Sequence, residues 1–158
     1  MTTSQVSTDA TATRVRRLVR VAGLATAGHW LLYVIEKVYL AGQGRIGMVG
    51  SPIPPEAYAD IPNPALAQLG NAAFGLVPVA IAVLAITPAG RRIPRPLLLL
   101  GLCVVLALTL ALGALLLGQG NWLHLAIAAA GLVAIVSLAA ASFLRLPGTA
   151  HARPVSDR

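Results

Sequence analysis

The segment Gly28–Gly44, GHWLLYVIEKVYLAGQG, decides the fold of this chain. It is long and apolar enough to cross a bilayer, yet it holds His29, Tyr33, Glu36 and Lys37. Ionisable side chains are expensive at membrane depth, and where they occur there they face a bundle interior or a water-filled cavity. A helix that carries them therefore needs partner helices, and the rest of the chain supplies three.

Apolar runs cover about residues 18–40, 64–87, 97–117 and 122–144. Each is near the ~20 residues a helix needs to cross ~30 Å of hydrocarbon. The runs are continuous, not alternating, which argues against strands, and an open sheet in lipid would leave backbone groups unpaired. None has the wet face of a soluble amphipathic helix. Of the 158 residues, 57% are hydrophobic and 11% charged, against about 25% charged in soluble domains. The expected fold is all-α, a four-helix transmembrane bundle over residues 14–146 with a Pro/Gly-rich outer loop, 41–63, between helices 1 and 2. Residues 1–13, rich in Ser and Thr, are expected to form a disordered tail, and residues 147–158 a second tail.

Helix ends are marked by composition. Asn63-Pro64 is an N-cap followed by proline at the first helical position, where its missing N–H does no harm. Thr87-Pro88-Ala89-Gly90 closes the second run, Ile93-Pro94-Arg95-Pro96 opens the third, and Gly118-Gln119-Gly120-Asn121 turns into the fourth, with Asn121 as its candidate cap. Pro78 lies inside the second run, where membrane bundles tolerate a proline kink.

The formal net charge is +7, and its distribution points to membrane orientation. Arg14, Arg16, Arg17 and Arg20 flank the first span, Arg91, Arg92 and Arg95 fall between spans two and three, and Arg145, Arg153 and Arg158 follow the fourth. With four spans all ten lie on one side, against Lys37 and Arg45 on the other. The positive-inside rule then predicts a multi-pass protein of the cytoplasmic membrane with both termini cytoplasmic. Nucleic acid is not an expected partner, because the arginines sit in short clusters and few aromatics are present to stack on bases. A cleaved signal peptide is not expected, since the first run is long and interrupted by polar groups. The single Cys103 excludes an internal disulfide and a multi-cysteine metal site.

No nucleotide loop, zinc motif or nucleophile elbow is present, so an enzyme is the less favoured reading. The chemistry-bearing residues are in the spans. His29, Tyr33 and Glu36 share a helix face at i, i+4 and i+7, with Lys37 one residue round. In span two, Gln68, Asn71 and Gly75 form a second stripe. On antiparallel helices Gln68 is expected near the depth of Glu36 and Asn71 near that of Tyr33, with His124 joining at the Glu36 level and His29 deeper. Matched polar groups suit interhelical hydrogen bonding. The same set suits a proton relay, or a site for a lipid, quinone or other small molecule. The bland alternatives are a snorkelling Glu36 and Lys37 and amides that only join helices. No cofactor is expected: haem would need His29 and His124 at one iron, and they fall at different depths. The lipid bilayer is the expected partner, with a membrane-protein partner also open. Alanine stripes at Ala126, Ala130, Ala134 and at Ala107, Ala111 are expected to pack within the bundle. The outer loop, with apolar Ile46, Met48, Val49, Ile53, Tyr58 and Ile61, is expected to cap its outer mouth.

The run GHWLLYVIEKVYLAGQGRIGMVGSPIPP, with NPALAQLGN, resembles small four-span membrane proteins of unknown function from actinobacteria. The eleven arginines against one lysine fit a high-GC genome. That resemblance implies the four-span fold and brings no activity. Small multidrug transporters also have four spans and a glutamate in the first. This chain departs from them in its long first outer loop, in the outward position of Glu36 beside Lys37, and in an arginine bias that favours one orientation.

Overall fold

The computed structural model describes residues 3–118 and 120–144, with side chains from residue 13 onward and up to 143. The second tail lies outside the described residues. Four helices dominate: α1 (Thr3–Gly42), α2 (Pro64–Ile86), α3 (Arg95–Gly118) and α4 (Trp122–Leu144). Each contains a segment long and apolar enough to cross a membrane, with mean hydropathy from 1.5 in α1 to 2.7 in α3. The chain is an all-α four-helix membrane bundle.

One boundary differs from the sequence reading. Helix α1 starts at Thr3, where a disordered tail to Thr13 was expected. Once the membrane segment has formed a helix, each further residue adds a hydrogen bond without a new nucleation penalty, so α1 continues back through Ala10 and Ala12.

Neighbouring helices run antiparallel and form a closed ring in the order α1, α2, α3, α4, with α1 packed on both α2 and α4 and α3 packed mainly on α4. Asn63 caps α2 as its sequence predicts, its side-chain oxygen accepting from Leu66 N at 2.9 Å. The buried line of α2 passes through Gln68, Ala72, Gly75, Pro78, Ala82 and Ala85. Small residues dominate it, which lets α1 approach closely: a methyl group on Gly75 would lie 2.8 Å from the Tyr33 ring. Pro78 is buried and the helix continues through it. The main core is made by Val19, Trp30, Leu102, Val105, Ile135 and Leu138. Large apolar side chains such as Leu24, Leu66, Leu100 and Val133 point outward, and the hydrocarbon of a bilayer is the solvent that suits them.

The alanine stripes do not pack as expected. Ala107, Ala111, Ala126 and Ala130 are exposed. The buried line of α4 instead runs through Ala128, Gly131, Ile135 and Leu138. The cause is the bulk on α1: the His29 ring occupies the space where a Cβ on Gly131 would stand, 2.6 Å away. The rotation of α4 that presents Gly131 to α1 leaves room for that ring.

Between α1 and α2 the chain folds back over the bundle. Two short antiparallel strands, β1 (Gly47–Met48) and β2 (Ser51–Pro52), form a hairpin, and a single 3-10 turn, Pro55–Tyr58, follows. Gly47 has φ +125, and a Cβ there would lie 2.5 Å from Ile53 N. Only glycine fits that backbone without strain. Gly47 and Met48 are buried, so the hairpin is a cap on the helix ends.

Candidate functional site

The site is built where the cap meets α1, α2 and α4. Lys37 projects inward from the last turns of α1 and donates to Gly47 O at 2.5 Å. Gln68, from the first turns of α2, donates to the same oxygen at 3.1 Å. Asn71 supports Gln68 by donating to its Oε1 at 2.9 Å. Lys37 is 5% exposed and Gln68 fully buried, so Lys37 does not snorkel. Its ammonium lies 5.0 Å from the centre of the Tyr33 ring, a favourable cation–π placement.

Glu36 faces the other side of the cap. Its Oε1 accepts from Val49 N in the hairpin and lies 3.1 Å from His124 Nε2 on α4. Asn121, three residues before His124, uses its Oδ1 to accept from His124 N at 3.2 Å and faces His124 Nδ1 at 3.0 Å. Because Oδ1 already accepts a backbone N–H, it acts as an acceptor towards the ring as well. Both ring nitrogens thus face oxygens, and the imidazole is held between Asn121 and Glu36, donating to one or the other according to its tautomer. The pair is an imidazole–carboxylate contact that links α1 to α4.

Beneath it is a cavity of about 60 Å³. Glu36, His124 and Met48 line its capped end, and His29 and Tyr33 line it deeper in. Leu116 on α3, which is buried, forms another wall, while Leu32 and Ile127 are outward-facing residues of α1 and α4 at its edge. The cavity thus opens on the groove between α1 and α4. His29 lies seven residues from Glu36, and its contact Gly131 lies seven from His124, which separates the two imidazoles by about 10 Å along the bundle. His29 stacks edge-on with Trp30, with centroids 5.9 Å apart, and its Nε2 is a buried atom with no hydrogen-bond partner among the described residues. Among those residues no three of His, Cys, Asp and Glu gather as a metal site.

The residues singled out from sequence thus divide. Glu36 meets His124 directly and does not bond Gln68, whose partner is the cap. Lys37, Gln68 and Asn71 form a separate chain ending on Gly47 O. Tyr33 and His29 lie along the cavity. The parts that sequence reasoning missed are the backbone groups of Gly47 and Val49; Asn121 caps α4 as its sequence predicts, by accepting from His124 N. The three-residue spacing that makes Asn121 a cap also brings its Oδ1 to the His124 ring, a contact that was not anticipated. No protein-family model, curated protein or solved structure matches the chain.

Proposed function

We propose that this chain is a cytoplasmic-membrane protein with cytoplasmic termini that acts without catalysis, holding the polar end of a lipid-like small molecule in the capped cavity. The ten-to-two partition of basic residues supports the orientation. The observation that carries the binding reading is the Glu36–His124 pair at the capped end of a cavity whose edge meets outward-facing Leu32 and Ile127. A volume of about 60 Å³ is far below the ~300 Å³ or more that encloses a drug-sized ligand. It suits a carbonyl or hydroxyl head, a quinone or lipid head for example, whose apolar tail stays in the groove between α1 and α4. The imidazole and the carboxylate are the polar partners available to such a head.

The same pair of ionisable groups favours a second reading, a proton-coupled carrier, in which Glu36 and His124 exchange a proton with a passing substrate. One experiment separates the two. Wild type, Glu36→Gln and the cavity-filling Ala128→Phe are purified from cells and their co-purified apolar molecules identified by mass spectrometry. The binding reading expects one molecular class enriched over bulk lipid in wild type and lost in both variants. A wild-type profile equal to bulk lipid, with Glu36→Gln abolishing proton uptake in vesicles, would leave the carrier.

A further inference from the structure

At the opposite end of the bundle a larger cavity, of about 300 Å³, lies between α1 and the link from α2 to α3. Arg16, Arg17 and Arg20 of α1 line it together with Thr13, and Arg91 lines it from across the link. That link is held firmly. Thr87 N and Oγ1 both donate to Leu84 O at 3.3 Å, Arg91 N donates to Pro88 O at 3.1 Å, and Gly90 is buried against the end of α2. Arg91 is therefore presented from a fixed 3-10 turn, Ala89–Arg92. The convergence is selective. Arg14 and Arg92, at the same end, do not line the cavity, and Arg95 is engaged elsewhere, with Phe143 O and the Phe143 ring. The carboxylates among the described side chains, Glu36, Glu56 and Asp60, all belong to the capped end or its loop. No carboxylate among them pairs with Arg17, Arg20 or Arg91.

Orientation in the membrane needs arginines on one side of it but does not need them in one concavity. We propose that this cavity binds a phosphate group, with Arg17, Arg20 and Arg91 as its principal ligands and Thr13 at its edge. Guanidinium forks bind phosphate oxygens in pairs, and basic pockets between membrane helices suit anionic lipid headgroups. The group can come from an anionic phospholipid or from a soluble phosphate, and the chemistry is the same. The competing use of these arginines is to complement the C-terminal dipole of α2.

The test compares wild type, Arg17→Gln/Arg91→Gln and the control Arg14→Gln/Arg92→Gln, which removes equal charge outside the cavity. Two probes are used: dioleoylphosphatidylglycerol in mixed micelles, read by native mass spectrometry, and inorganic phosphate against chloride at equal ionic strength, read by thermal melting. Loss of about fivefold in affinity per arginine predicts about 25-fold weaker lipid binding in the cavity variant and less than about twofold in the control. Phosphate binding without lipid retention would identify a soluble ligand for the same site. Equal losses in both variants, or no binding of either probe by wild type, would overturn the proposal. A uniform fall in stability with unchanged binding would assign the arginines to the α2 dipole and also overturn it. If the cavity variant does not fold, Arg17→Lys/Arg91→Lys keeps the charge and loses the fork. It should bind the lipid more weakly than wild type, and unchanged affinity would count against the site.

Discussion

Lys37 and Gln68, on antiparallel helices, donate to one carbonyl oxygen, that of Gly47 in the cap. A carbonyl has two lone pairs, so this atom is saturated and both helices are tied to the hairpin through it. Loss of one donor leaves the oxygen with a partner; loss of both leaves a buried acceptor with none. Lys37→Met and Gln68→Leu should each be mild, near the ~0.6 kcal/mol average for polar contacts in membranes. The double variant should be destabilised beyond their sum by about 1–3 kcal/mol, the penalty of an unsatisfied buried group. Unfolding of the four proteins in detergent measures the coupling, and strict additivity would show that the cap is not clamped by this atom.

The cap also rests on a single backbone position. Gly47→Ala places a Cβ 2.5 Å from Ile53 N and 2.9 Å from Pro52 Cα at φ +125. Backbone shift is the only escape, since the neighbours are main-chain atoms. A loss of at least about 2 kcal/mol is expected. Gly50→Ala, at φ +79 but with open space around it, should be milder. A cysteine at Met48, now 7% exposed, should become reactive to thiol reagents only when Gly47→Ala is added. Reactivity without that substitution would mean that the cap is already open.

The spans were legible because apolar length is a strong signal, and the helix start at Pro64 because Asn63 carries its cap in one side chain. The polar stripe on α1 also named its own partners at the level of depth, as the Glu36–His124 contact shows. Two things were not legible. The hydrogen bonds of Lys37, Gln68 and Glu36 end on backbone atoms of the hairpin, and backbone atoms are common to every residue. The rotation of α4 was misjudged because regular alanine spacing at Ala126, Ala130 and Ala134 resembles a packing stripe. The space required by one ring, His29, outweighs that regularity. The arginine cavity was legible only as charge, since its shape depends on how the α2–α3 link folds against α1.

Orientation has its own test. In a background with Cys103 replaced by alanine, a cysteine at Ser51 should react with an impermeant thiol reagent on intact cells, and one at Ala89 should react only after permeabilisation. The ten-to-two partition of basic residues motivates this expectation. The opposite pattern would place the arginine cavity outside the cell and the Glu36–His124 pair near the cytoplasm.

The contact between His29 and Gly131 separates packing from chemistry. Gly131→Val forces the α4 backbone away from the imidazole and should destabilise by about 1–3 kcal/mol through overpacking. His29→Ala removes the ring that the valine meets, together with a buried ring nitrogen that has no hydrogen-bond partner among the described residues. In the His29→Ala background, Gly131→Val should therefore be tolerated or stabilising, and the two changes should show a favourable coupling of at least about 1 kcal/mol. Thermal melting of the set reads this directly. Independent effects would mean that α4 is rotated differently and that its cavity wall is not the one described. A double variant that recovers stability yet does not retain the co-purified molecule would assign His29 to the ligand. One that recovers both would leave His29 as a packing residue and the Glu36–His124 pair as the polar end of the site.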